Sequence, residues 1–119
     1  MNLVVAARHE GPLVRFHVEG RWQSGDALKL AYFIKAAASR VRGDQLLIDL
    51  TGVRTPPGVQ EKFLICDRLR RALTPKMRVG LVTPEDLVDG SELPAPLVGC
   101  PDIALFPAEP EARAWLRHA

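Results

Sequence analysis

The sequence predicts an α/β fold: a largely parallel, mixed sheet of about five strands with four helices, in the order β-β-α-β-α-β-α-β-α, with residues 1–119 forming one domain. Three observations lead there. The run Leu46-Leu47-Ile48-Asp49-Leu50 is almost unbroken in apolar character and ends on a glycine turn, Thr51-Gly52-Val53. It is too short for an independent helix and suits a central strand covered on both faces. The segments on either side of it carry apolar residues at helical spacing, and strands alternating with helices imply parallel pairing. Near the start, Val14, Phe16 and Val18 alternate with Arg15, His17 and Glu19, the pattern of a strand with one buried face.

Taken in order, Leu3 to Arg8 and Leu13 to Glu19 read as two strands joined by His9-Glu10-Gly11-Pro12, an antiparallel hairpin at the edge of the sheet. The alternation points His17 toward solvent. His9 falls in the turn and His118 at the end, so the three histidines read as surface residues. The loop from Gly20 to Asp26 ends in a helix cap at Ser24, and the helix is expected to run to about Val41, stopped by Gly43. Its apolar stripe reads Ala27, Leu28, Ala31, Ile34, Ala37, Ala38 and Val41; Tyr32 and Phe33 lie off the stripe's centre. After the central strand, Thr55-Pro56-Pro57-Gly58 leads into a helix from about Val59 to Leu73. Phe63, Cys66, Leu69 and Leu73 face inward there, and Leu64 falls among polar neighbours. Met77 to Thr83 is the next strand. Thr83-Pro84-Glu85-Asp86 opens a short helix with a capping Thr, Pro at the first helical position and acids near the positive end of the dipole. Ile103 to Phe106 is a last strand. Glu109 to His118 closes the chain as a helix, with Ala112, Trp115 and Leu116 inward and Glu109 placed to pair with Arg113.

The composition, 47% hydrophobic and 25% charged, is that of an ordinary globular domain, and no apolar run is long enough to cross a membrane as a helix. Without a basic n-region or long h-region at the N-terminus, and with Cys66 and Cys100 as the two cysteines, the chain is expected to be cytoplasmic and reduced. Net charge is +2, unevenly placed. Between Lys62 and Arg78 six basic residues face a single acid, Asp67, whereas residues 79 to 112 contain no Lys or Arg and seven acids. Such polarity can orient a partner or a second copy of the chain.

Ile48-Asp49-Leu50-Thr51-Gly52-Val53, Gly20 at the end of the second strand, and Phe106-Pro107-Ala108-Glu109-Pro110-Glu111-Ala112-Arg113-Ala114-Trp115-Leu116 together resemble the STAS superfamily, named for sulphate transporters and anti-sigma factor antagonists. Within it they are most similar to the SpoIIAA-like family of small bacterial proteins. An Asp-Leu-Ser/Thr-Gly-Val strand end followed by a helix is typical of the superfamily, and a Phe followed by a Glu-Ala-x-x-Trp-Leu helix is typical of the narrower family. The resemblance implies a protein-binding, anti-sigma factor antagonist-like role. In the regulatory members the loop after this strand carries Asp-Ser-Ser-Gly, whose serine is a phosphorylation switch. Here Thr55-Pro56-Pro57-Gly58 puts prolines at the serine positions, so the switch is not expected, and Thr55 reads as the cap ahead of Pro56.

The function expected is therefore that of a non-catalytic regulatory or protein-interaction domain, a homodimer, with Tyr32, Phe33 and Leu64 as interface candidates. Binding residues are expected at the carboxyl edge of the sheet, where open α/β sheets hold ligands: Asp49, Thr51, Arg54 and Thr55, with the loop around Pro84 and Glu85. Asp49 is read first as a hydrogen-bond acceptor for the turn amides around Gly52. The alternative is a carrier of an apolar small molecule or lipid, because the SpoIIAA-like fold is similar to that of lipid-transfer domains and Ala36-Ala37-Ala38 could leave space against the sheet. An enzyme is not expected: Ser24, Ser39 and Ser91 have no His placed nearby on this topology. Metal-ligand spacing and phosphate loops are absent, so no cofactor is expected. The basic stretch from Arg68 to Arg78 lacks interleaved aromatics, which argues against nucleic acid.

Overall fold

The structure, a computed structural model, describes residues 3–23, 25–40, 44–55, 59–73, 76–83, 102–106 and 108–117. Strands β1 (Leu3–Glu10), β2 (Leu13–Arg21), β3 (Gln45–Thr55), β4 (Arg78–Val82) and β5 (Asp102–Phe106) form one sheet in that spatial order. β1 is antiparallel to β2, and every later pair is parallel. Helices α1 (Asp26–Ala38) and α2 (Val59–Ala72) are the crossovers flanking β3, and α3 (Glu109–Arg117) follows β5. The expected mixed, largely parallel sheet is thus present, with β3 at its centre. Among the described residues there are three helices rather than four; the short helix expected from Pro84 falls on residues outside the described set. No helix among the described residues is long and apolar enough to cross a membrane.

Gly11, at φ 63°, and Pro12 form the hairpin turn between β1 and β2. A two-residue turn needs a positive φ at its first central position to match the twist of the strands, which glycine supplies without strain. The turn is tighter than the four residues expected, because the strands pair out to Glu10 and Leu13. At α1 the cap differs from expectation. Ser24 lies outside the described residues; the N-cap is Gly25, left-handed at φ 91° and without a side-chain cap. Asp26, buried in the first turn, folds back instead, and its carboxylate accepts the Gln23 N–H at 2.9 Å. A carboxylate near the positive end of a helix is also favoured by the dipole.

The stripe of α1 is corrected by one position. Leu30 is fully buried with Ala27, Ala31, Ile34 and Ala38, while Leu28 is 41% exposed. The two leucines are two residues apart and so face opposite ways on a helix; packing against the sheet, not apolar character, decides which is buried. The helix ends at Ala38, short of Val41. On α2, Ile65 joins Cys66, Leu69 and Leu73 inside, and the Phe63 side chain lies outside the description.

Two apolar layers enclose the sheet. Val14, Phe16 and Val18 of β2 and Leu46, Ile48 and Leu50 of β3 meet α1 and α2. On the opposite face Leu13, Leu47 and Val82 meet Ala112 and Leu116 of α3. Gly80 of β4 lets that helix approach closely: a Cβ there would stand 3.3 Å from the Ala112 Cβ. Arg78 secures the far end of α3, donating to the Trp115 carbonyl at 3.0 Å and lying 4.0 Å over the centroid of the Trp115 ring. A cation there complements the negative end of the helix and the π face together.

Leu30→Ala should lose about 2–5 kcal/mol of unfolding free energy through the cavity it leaves, and Leu28→Ala should stay within about 0.5 kcal/mol of the parent in urea unfolding. Equal losses would put the α1 stripe back where the bare periodicity has it.

Candidate functional site

β3 outruns β2 by one residue at each of two register shifts, between His17 and Glu19 and between Gly20 and Arg21. At the first, His17 pairs with Asp49 and Glu19 with Gly52, so three residues of β3 span two steps of β2. Burial records the same extra residue: Leu46, Ile48 and Leu50 keep a spacing of two, and the next core residue is Val53. This bulge leaves Thr51 out of phase, and Asp49 accommodates it. The Asp49 carboxylate accepts the Thr51 N–H at 2.9 Å and the Thr51 hydroxyl at 2.6 Å, both through Oδ1. A backbone amide displaced from its ladder must find an acceptor, and an Asx-type turn provides one within two residues. Gly52 is needed because the strands crowd here: a Cβ would stand 3.0 Å from both the Val18 carbonyl and the Glu19 side chain.

The second oxygen of Asp49 faces β2. Arg15 donates to it from Nη2 at 2.9 Å, and His17 Nδ1 lies 3.1 Å away. From there an ion-pair chain extends both ways. His17 Nε2 meets Glu19 Oε1 at 2.8 Å. Arg15 Nε donates to Glu109 at the start of α3 at 2.8 Å; Glu109 accepts from Arg113 Nε at 3.0 Å, and Arg113 reaches Glu10 at 2.8 Å. The chain thus ties β1, β2, β3 and α3 across the α3 face of the sheet. Asp49, whose side chain is 7% exposed, is its most buried member. Burial would raise the Asp49 pKa, but the bonds from the Thr51 hydroxyl and amide, with those of His17 and Arg15, outweigh it and hold the carboxyl below its ordinary value. Glu109 is likewise held low: burial opposes, and Arg15 and Arg113 prevail.

His17 has a carboxylate oxygen at each ring nitrogen. A neutral imidazole carries one N–H and would turn a lone pair toward one of them, so the doubly protonated ring fits both. Its pKa is raised, first by the Glu19 bond and then, against some burial, by Asp49; Arg15 opposes.

Asp49 and Thr51 bind each other, as the turn-acceptor reading has it, although the amide held is that of Thr51 rather than of Gly52. Asp49 is also spent on Arg15 and His17, so it is not open to a ligand. Arg54 is exposed and lines a cleft of about 590 Å³ at the carboxyl edge, with Val4, Glu19, Gly20, Arg21 and Gly52. The Thr55 side chain, Pro84 and Glu85 lie outside the described residues. His17 is corrected: it is on the face the alternation indicates, yet half-buried between two acids rather than turned to water. Arg15, Glu19 and Arg21 were missing from the expected site. Their signal is the polar run at odd positions of β2, legible as a site only once β2 and β3 are known to pair with Arg15 and His17 alongside Leu47 and Asp49.

Of the interface candidates, Tyr32 is 63% and Leu64 45% exposed. Phe33, at 39%, sets its ring edge-on to Phe16 at 6.4 Å and serves the core in part. In the alanine run Ala38 is packed in the core, Ala37 is partly buried against it and Ala36 is exposed. Cys66 is a core residue, its thiol pushed up to about 11 by burial, with Arg70 opposing.

No family model matches the sequence, and no curated protein matches it. Among solved structures, an anti-sigma factor antagonist from Mycobacterium paratuberculosis is similar over 97% of this chain and 94% of its own, with a TM-score of 0.68 and 18% identity. The likeness establishes the fold alone: the mixed, largely parallel sheet with its helices is shared with that protein.

Two outcomes test the cluster. Because the His17 pKa is raised on folding, its contribution to stability is full below about pH 6.5 and is lost as pH rises through the folded value. Unfolding free energy of the parent should fall across that window relative to His17→Gln, and parallel pH profiles would refute the imidazolium bridge. Gly52→Ala should destabilise by about 1–3 kcal/mol through overpacking, measured by thermal or urea unfolding.

Proposed function

We propose that the chain is a non-catalytic regulatory module that works by binding another protein, as the name of the anti-sigma factor antagonist with its fold describes for that protein. The observation that carries the reading is likeness over nearly the whole of both chains, 97% of this one and 94% of the other. The disposition of the reactive groups supports it. Asp49, at the position where open α/β sheets usually bind ligands, is consumed by the bulge and its neighbours. The Cys66 thiol is buried and protonated at neutral pH. What remains for recognition is surface: the exposed Arg54 and Arg21 at the carboxyl edge, and the outer faces of α1 and α2.

The reading includes a partner bound at the carboxyl edge without the serine switch, since prolines stand at positions 56 and 57. It also includes a homodimer, for which Val4, 69% exposed on the edge strand β1, is a suitable contact.

Replacing residues 54–58 by a Gly-Ser linker should abolish capture of the protein retained from native lysate by the parent chain, with the melting temperature measured alongside. A well-folded variant that retains the same protein equally would remove the carboxyl edge from the interface. In light scattering the parent should have twice the 13.1 kDa chain mass; a strictly monomeric mass at high concentration overturns the dimer.

A further inference from the structure

The outer face of the helical layer carries a pattern that neither the core nor the carboxyl-edge cluster uses. On α1, Leu28, Tyr32 and Lys35 recur at i, i+4 and i+7; on α2, Leu64, Arg68 and Arg71 recur at the same spacing. Residues so spaced share one helix face. Both helices are crossovers between parallel strands, so they run in the same direction. Their two outward stripes therefore match end for end: apolar toward the helix N-termini, cationic toward the C-termini. Between them lies a groove of about 170 Å³ whose lining includes Leu28, Tyr32, Lys35, Arg68 and Arg71 and, among the described residues, no carboxylate. Leu28, Tyr32 and Leu64 are 41%, 63% and 45% exposed, three of the largest exposed apolar side chains of the described residues. Arg71 makes an i, i+4 pair with Asp67 at 3.3 Å, yet its side chain is 72% exposed, and a pair so wet is worth little and is easily exchanged.

We infer that this groove docks an amphipathic helix of a partner protein, one that bears apolar side chains at one end and carboxylates toward the other. The inference rests on the protein-binding reading above and adds the surface and the partner's chemistry. A furrow between two parallel helices accepts a third by its apolar anchors, and the graded charge sets its direction. A second copy of this chain is a poor occupant by its described helices. Asp26 of α1 is buried, Glu109 of α3 is held by Arg15 and Arg113, and Asp67 of α2 and Glu111 of α3 each stand singly, Asp67 among Arg68, Arg70 and Arg71.

The test is selection from a phage-displayed library of amphipathic helices about four turns long, with apolar residues fixed on one face and the flanks randomised. Binders are expected to be enriched in Asp and Glu at the end away from the apolar anchors. A selected peptide should bind the R68E/R71E double variant about tenfold more weakly, and exchange of its carboxylates for lysines should restore binding to that variant. Tyr32→Ala should weaken binding while leaving the melting temperature in place. Absence of binders, binders without an excess of acids, or equal affinity for R68E/R71E would overturn the inference. So would competition by phosphatidylglycerol vesicles that bind the parent chain more tightly than the peptide, since the occupant would then be a lipid surface. If R68E/R71E still captures the lysate protein in full, the groove is refuted and the protein-binding reading stands; if the parent captures no protein, that reading fails first.

Discussion

A strand with no wet face is stable only where both of its sides are covered. Leu46, Ile48 and Leu50 on one side of β3 and Leu47 on the other are all fully buried, and that requirement organises the molecule. It demands helices on both faces of the sheet, and hence parallel neighbours reached by crossovers long enough to contain them. α1 and α2 arise as those crossovers and share one face; α3, entering after β5, is left for the other. The coverage is uneven. Among the described residues two helices seal one face, while α3 alone covers part of the opposite one, whose β1–β2 portion carries Arg15, His17 and Glu19.

The ion-pair chain fills that uncovered portion. Arg15, His17 and Glu19 stand where an apolar row would be exposed, and each is paired rather than merely solvated. The bulge in β3 serves the same end. By inserting a residue after Leu50 it returns Val53 to the core while bringing Thr51 and Gly52 out beside the β2 row, and Asp49 absorbs the displaced amide. The excess of carboxylates over arginines in the chain (Asp49, Glu19, Glu109 and Glu10 against Arg15 and Arg113) favours the cationic form of His17, whose pKa is raised by Glu19 and Asp49. These groups hold the sheet and α3 in register. They are consequently poor candidates for binding anything else.

The recognition we propose falls on two rims: the cleft with Arg21 and Arg54, and the helical layer with its apolar-to-cationic gradient. The helical layer draws Arg68 and Arg71 from the block of cations between Lys62 and Arg78. A likeness to one anti-sigma factor antagonist at 18% identity fixes the scaffold and leaves the rims as this chain's own. Low identity over a shared fold is expected when the core constrains only polarity and volume and the surface is free to change partner.

By itself the sequence determined what depends on local pattern. The β2 alternation, the apolar run of β3, the helical spacing of apolar residues and the Glu109–Arg113 spacing each specify an element from residues within a turn or two of one another, and each was legible. The choice between Leu28 and Leu30 was not, since both are apolar and only contact with the sheet distinguishes them. Nor was the state of His17: alternation places it on the polar face, but its raised pKa comes from Glu19 and from Asp49 on a neighbouring strand 32 residues away. The bulge likewise exists only between strands. Tertiary structure decided these features because burial and charge pairing are sums over neighbours that chain order does not bring together.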